Sequence, residues 1–443
     1  MFRLSILLLP IIIVIYGCDS SVQIEEVEEE YIECNNGSAD GYPCNNVGLY
    51  AILSPADLLA EQSGNLEPRL NDVWGWIDPV TGKEYALVGL SDGISIVDVT
   101  TPWEPVVMAK LAEIGANVSK VEPLGGPRFA HHDDGTGFKE ASVWRDLKVY
   151  QNYMYVVNEQ NHGMQVFDLT RVRDIDEPPV IFEEDYHYTK FDNAHNIAIN
   201  EETGYAYVVG STRGEICAER GGLHMIRLHE DPLQPEFAGC YFEEEAGGII
   251  RNGYIHDTQC VIYRGLDQAY FGREICFSSS ETTFTITDVN DKENAFTIFN
   301  ESYEGNAYSH QGWLTEDHRY FFMNDELDER SDGTNTRTYV WDVQNLENAE
   351  LIGFYEHPTQ AVDHNLYIYN NIMYQANYTA GLRVLDVSNP LPQSVTEIGY
   401  FDTTPGNNEP VFAGLWSVYP WLSNNTVLVS DIHNGLFILR VER

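Results

Sequence analysis

The sequence predicts an all-β fold, a seven-bladed β-propeller whose last blade is closed by an N-terminal strand. Three observations predict it. An alternating segment, usually led by glycine, recurs seven times along the chain. Each copy follows another β-rich segment across a polar turn, so each unit contains a hairpin. Successive units start about 50 to 60 residues apart, the length of a four-stranded blade, and no long amphipathic pattern interrupts them.

The seven copies are Gly93–Val99, Gly163–Leu169, Gly222–Leu228, Thr283–Val289, Arg337–Val343, Gly381–Val387 and Gly435–Val441. Their hairpin partners include Tyr85–Val88, Tyr153–Val157, Tyr205–Val209, Tyr320–Met323 and Val427–Ser430. A further strand lies upstream in every unit, opening at Trp74, Trp144, His195, His256, His310, His364 or Trp416. Most units carry a fourth strand downstream, as at Leu351–Tyr355. The first interval is longer because it holds an insertion from Gly125 to Gly137, where His131, His132, Asp133 and Asp134 could form a lid or a solvated loop. The seventh unit runs out of chain after three strands. Gly48–Leu53, strand-like and ahead of the first full unit, is expected to supply the missing one and tie the ends together. The propeller is therefore expected to span residues 48–443.

The N-terminus reads as a secretion signal over residues 1–17: Arg3, then an apolar run from Leu4 to Ile15 that is short for a membrane span. Gly17 directly before Cys18 resembles a bacterial lipobox, which makes Cys18 the expected lipid attachment site. Acyl chains there would tether the protein to a membrane without crossing it. Residues 18–47 are expected to be an acidic tether, with glutamates concentrated between Ile24 and Glu30. In an oxidising compartment the remaining six cysteines suggest pairing. Proximity favours Cys34 with Cys44, Cys217 with Cys240 and Cys260 with Cys276, although other connectivities are open. The expected location is extracytoplasmic: the outer membrane, the cell surface or the periplasmic face.

With 69 acidic against 25 basic residues and a net charge of -44, the chain would be repelled by nucleic acid, which is excluded as a partner. Gly-x-Ser-x-Gly, the phosphate-binding glycine loop and His-Glu-x-x-His are all absent.

The glycine-led strands resemble the LVIVD repeat. The blocks Asn71–Trp76, Ser142–Asp146, Ala194–Ala198, His256–Cys260, His310–Leu314 and Asp363–Leu366 resemble those of the choice-of-anchor B family. The resemblance spans nearly all of the mature chain. It implies an extracytoplasmic repeat protein whose surface attachment varies between members, here a lipid, and it implies no particular reaction.

In a propeller the first strand of each blade lines the central channel, so the seven opening residues are expected to converge near its mouth. His195, His256, His310 and His364 form a candidate metal ring, because neutral imidazole ligates zinc, copper and iron. Asp257, Asp363, Asp325 and Glu326 could support it, while hard carboxylates in the adjoining turns would favour calcium. The competing reading is structural: each histidine bonds a neighbouring blade's backbone and recurs because the blade was duplicated. The run Asn324–Glu329 superficially looks like a calcium loop but lacks the EF-hand glycine and terminal glutamate. His187, His229, His318 and His357 lack the repeat position and are expected at the surface.

The leading functional expectation is a lipid-anchored surface binding or scaffold module for a protein or glycan partner, with a metal at the channel mouth. Trp313, Tyr378, Trp421 and Tyr303 would suit partner contacts or blade packing. The alternative is a metal-dependent enzyme, a copper- or zinc-type oxidoreductase or hydrolase, using a histidine-lined channel. A calcium-dependent hydrolase would instead need carboxylates at the channel centre.

Overall fold

The computed structural model describes residues 30–60, 68–114, 144–160, 162–214 and 220–442. The signal segment, Cys18, Cys217 and the insertion with His131 and His132 lie outside them. Tyr31–Arg443 form one compact unit.

Seven sheets follow one another along this unit, antiparallel except where Val180–Phe182 adds in parallel to the outer strand Val106–Ala112 of blade 1. Blade 1 opens with Leu70–Ile77, blade 2 with Arg145–Tyr150, blade 3 with Asn196–Asn200 and blade 4 with Asp257–Ile262. Blades 5, 6 and 7 open with Ser309–Leu314, Leu366–Tyr369 and Leu415–Tyr419. Blade 7 takes its fourth strand from Val47–Leu53, which pairs antiparallel with Gly435–Val441. The two ends of the chain thus complete one sheet, as the strand pattern of Gly48–Leu53 predicts.

The leading glycines have a local cause. Gly381 and Gly435 start third strands at φ 70° and 105°, in the left-handed region. Each packs so closely on the neighbouring fourth strand that a side chain there would strike the backbone carbonyl of Phe401 or Leu53. Between blades, alternating inward residues interlock. The Phe284 and Phe321 rings of blades 4 and 5 stack at 4.9 Å, with Phe277 and Trp341 in the same cluster.

The tether expected through residue 47 is shorter than that. Tyr42–Asn45 pairs with the outer strand of blade 6, joining Cys44 to Phe401 in register, and Ser38–Ala39 adds a further short strand. This hairpin covers an edge that a propeller otherwise exposes. Cys34 and Cys44 are disulfide-bonded, as are Cys260 and Cys276 on adjacent strands of blade 4. Cys240 is also disulfide-bonded, and Cys217, its expected partner, is outside the described residues. Such cross-links belong to an oxidising compartment outside the cytoplasm. No helix among the described residues is long and apolar enough to cross a membrane.

Candidate metal centre at the channel mouth

The opening strands bring six rings into one arc. His195 meets His256 at 4.0 Å between ring centroids, His256 meets His310 at 4.3 Å, and His310 meets His364 at 4.5 Å. The arc continues from His364 to Trp416 at 4.2 Å, and Trp416 stacks on Trp144 at 4.3 Å. Four residues far apart in sequence thus meet, because each occupies the same position on its blade.

Blade 1 departs from the expected pattern. Its register shifts between Leu70 and Val73, as blade 5 shifts between Ser309 and Gly312. Matching the two bulges aligns Asn71 with His310 and Trp74 with Trp313. Trp74 is therefore not a mouth residue. It sits three positions deeper, against Tyr367, Tyr419 and Trp421.

The hydrogen bonds decide which imidazole nitrogen faces the channel. His364 Nδ1 lies 2.5 Å from the Trp416 carbonyl oxygen, and His256 Nδ1 lies 2.9 Å from that of His310. A ring nitrogen facing a carbonyl must carry the proton, so Nε2 of each keeps its lone pair. The structural role and the ligand role are therefore compatible: one nitrogen links blades while the other stays available.

Glu326, from the turn after Tyr320–Asp325, completes the group. Its Oε2 is 3.6 Å from His310 Nε2 and its Oε1 is 3.9 Å from His364 Nε2. Among the described residues, the ligand atoms of His310, Glu326 and His364 lie within 4.8 Å of one another. Tyr378 donates a 2.9 Å hydrogen bond to Glu326 Oε1 and packs its ring 5.0 Å from His364, which orients the carboxylate. Tyr378 is thus a buried support of the site, with no part in a partner face.

Burial sets the charge state of these groups. Desolvation holds His256 and His310 well below the usual imidazole range and His364 at about 3, so all three are neutral imidazoles at pH 7. Burial raises Glu326 to about 7 against the opposing hydrogen bond from Tyr378. His195 differs from the rest. Burial lowers its pKa, but the 2.7 Å hydrogen bond and the charge of Glu159 outweigh that and raise it. The expected four-histidine ring is therefore three neutral imidazoles and one that attracts a proton.

Beneath the rings runs a polar girdle, from the residue following the opener on most blades and from Asp146, two residues after Trp144, on blade 2. Ser417 donates to Asp72, Asp72 accepts from the Leu147 amide, and Asp146 accepts from the Ile197 amide. Asn196 donates to Asp257 at 2.9 Å, and Gln311 accepts from the Leu366 amide. Each contact ties one blade to another. Lys148 inserts here, 2.6 Å from Asp146 and 3.2 Å from Asp72. Burial, relieved in part by Lys148, raises Asp146 well above the carboxylate range, whereas Lys148 and the Asp146 and Ser417 hydrogen bonds outweigh burial to lower Asp72. The two carboxylates are thus pushed in opposite directions beside one ammonium. Asp257 belongs to this girdle, and burial raises it to about 7.

Two expected supports lie elsewhere. Asp325 caps its own loop, accepting from Tyr303 and from the Ala307 and Tyr308 amides. Asp363 is buried beside Gln375, away from the channel lining. His357, expected at the surface, is buried and hydrogen-bonds Thr338. The sequence reasoning missed Lys148, whose signal was a lone cation between Leu147 and Val149. Of the girdle it named Asp257 and not the ties between blades made by Asp72, Asp146 and Ser417. The cavity bounded by the rings and girdle measures about 20 Å³, room for an ion or a water molecule and far below an organic-ligand site.

No protein-family model matches this chain, and no curated protein does. Solved structures share the fold. Hydrazine synthase of Kuenenia stuttgartiensis superposes with a TM-score of 0.53 at 10% identity, over 86% of this chain and 97% of that one. The β-propeller domain of Myceliophteria thermophila Cps50 (Swd1) gives 0.50 at 10% identity, over 86% and 97%. A protein from Lactobacillus plantarum gives 0.50 at 12% identity, over 82% and 89%. At such identities the likeness shows the propeller alone.

Proposed function

We propose that this chain is a lipid-anchored extracytoplasmic propeller of the choice-of-anchor B type, acting as a surface scaffold that holds a transition-metal ion at its channel mouth. His310 and His364 would ligate through Nε2 and Glu326 through its carboxylate. Two imidazoles and one carboxylate suit zinc, iron or copper. The observation that carries this reading is the mutual approach of those three ligand groups, with the outer nitrogen of His364 already engaged by backbone. The cavity volume favours binding over catalysis, since no organic substrate fits beside an ion there. A partner has more room in the open cleft of about 530 Å³ between Phe299, Tyr303 and Trp341, rimmed by Glu301, Glu304 and Glu350. Neither the lipid nor the partner is needed for the metal test.

That test is elemental analysis of the wild-type protein and of a His310→Ala, His364→Ala double variant, each loaded with zinc or copper and desalted. The expected result is one ion per wild-type chain and loss of that ion in the folded variant. Wild-type protein without a stoichiometric ion, or a variant that keeps it, would overturn the metal reading.

A further inference from the structure

The blades do not all end alike at the rim of the propeller. Val180–Phe182 lies along the outer strand of blade 1, and Tyr42–Asn45 lies along that of blade 6. The outer strands of blades 4 and 5, Phe296–Glu301 and Glu350–Glu356, each end their sheet, with no further strand beyond them among the described residues. Both contribute to the walls of the open cleft of about 530 Å³.

Two kinds of group line that cleft. Phe299, Tyr303 and Trp341 supply rings: Phe299 meets Trp341 at 6.0 Å and 72°, and Tyr303 meets Trp341 at 5.9 Å and 87°. Trp341 is 3% exposed, and Tyr303 is fixed by the 2.7 Å hydrogen bond that its hydroxyl donates to Asp325. The rings are therefore held in place, and the face of an aromatic ring attracts a cation. The second kind is carboxylate. Glu301 ends the blade 4 strand, Glu304 follows in the loop and Glu350 begins the blade 5 strand, so three exposed glutamates meet at one opening.

Elsewhere the chain covers its outer rings with its own guanidinium groups. Arg171 lies 4.3 Å from the Phe182 ring, Arg337 4.6 Å from that of Phe354 and Arg383 4.9 Å from that of Tyr400. The cleft has no such cover, since among the described residues no lysine or arginine lines it. Rings and carboxylates together thus lack the cation that comparable rings receive from within the fold.

We propose that this cleft docks a lysine or arginine side chain carried on an extended segment of a partner protein. The inference rests on the reading of the chain as a surface scaffold and names the chemistry of what it holds. The ammonium or guanidinium would sit against the rings with the glutamates around it, as Arg337 and Arg383 sit over Phe354 and Tyr400. A protein segment is favoured over a free amine because both flanking strands have open edges that an extended chain can follow. The net charge of -44 speeds the approach of any basic partner, so preference for this cleft has to come from its rings and its three glutamates.

The experiment follows the fluorescence anisotropy of a labelled eight-residue peptide of alternating lysine and valine, titrated with the protein at about 150 mM salt to screen diffuse attraction. Saturable binding of one peptide per chain is expected for wild type. Glu301→Gln, Glu304→Gln and Glu350→Gln together should weaken it about tenfold. Glu177→Gln, Glu244→Gln and Glu409→Gln together remove the same charge from exposed positions outside the cleft and should leave binding within about twofold of wild type. Phe299→Leu should weaken it about threefold through the lost ring face. A peptide with glutamine in place of lysine should not bind, and excess cellohexaose should not displace the lysine peptide. The His310→Ala, His364→Ala variant should bind as wild type does, so this test and the metal test fail separately. The proposal is overturned by equal weakening in the two triple variants, by wild-type affinity in Phe299→Leu, or by loss of binding in the folded double-histidine variant. It is equally overturned by binding of the glutamine peptide, by displacement with the oligosaccharide, which would assign the cleft to a glycan, or by the absence of saturable wild-type binding.

Discussion

The mouth and the floor of the channel are built from the same opening strands, three residues apart, and they use that shared frame in opposite ways. On blade 5 the strand Ser309–Leu314 places His310 at the mouth and Trp313 below. At the mouth the rings leave a small space, and the Nε2 atoms of His310 and His364 face Glu326. At the floor the space is filled. Trp313 meets Tyr367 at 5.0 Å and Trp421 at 6.0 Å, Trp74 meets Tyr419 at 5.1 Å, and Lys148 lies 4.5 Å above the Trp74 ring. Edge-to-face aromatic packing and a paired ammonium satisfy the floor internally. The difference teaches that a repeated position confers proximity, while the residue type at that position decides whether the proximity becomes packing or spare valence.

The largest expected effect is at the floor. Lys148→Met removes the cation paired with Asp72 and Asp146 and should destabilise the protein by about 3 kcal/mol, read from urea unfolding. A loss under about 1 kcal/mol would mean that the carboxylates manage without the ammonium, in contrast to the ordinary cost of stranding a buried charge. Next, Trp313→Ala should cost about 2 kcal/mol while leaving zinc or copper uptake at the mouth unchanged. If uptake falls in a variant that remains folded, the two ends are not independent and the comparison breaks.

The smallest effect sharpens the contrast within the mouth. Glu159→Gln should lower the His195 pKa, followed by the imidazole proton shifts in an NMR titration. The sign follows from the raised folded-state value of His195. The Glu159 contact contributes stability below the unfolded imidazole pKa and loses it as pH rises through the folded one. His364, held at about 3, should not titrate over the same range. Equal titration of His195 and His364 would show that Glu159 does not set His195 apart.

Most of the architecture was readable in advance from periodicity. Strand alternation, turn spacing and leading glycines are local, and a propeller blade is a local unit, so seven copies could be counted and the role of Gly48–Leu53 inferred from one blade lacking a strand. The convergence of His195, His256, His310 and His364 followed from the same counting. The boundary of the tether was not readable, because Tyr42–Asn45 is ordered by an outer strand more than three hundred positions away. The error at Trp74 had a different origin. The bulge between Leu70 and Val73 matches that of blade 5, so Asn71 holds the opening position and Trp74 the place of Trp313; an asparagine there carries no ring to mark it.

The sequence by itself determined the number of blades, the closing strand and the repeated position that carries imidazole, since all of these depend on patterns within about 50 residues. Tertiary structure alone decided which nitrogen of His256 and His364 binds the neighbouring backbone, that Glu326 joins the histidines while Asp325 and Asp363 do not, and that Lys148 pairs with the girdle carboxylates. Those outcomes depend on hydrogen bonds and charges between blades, and such partners are set by the closure of the ring.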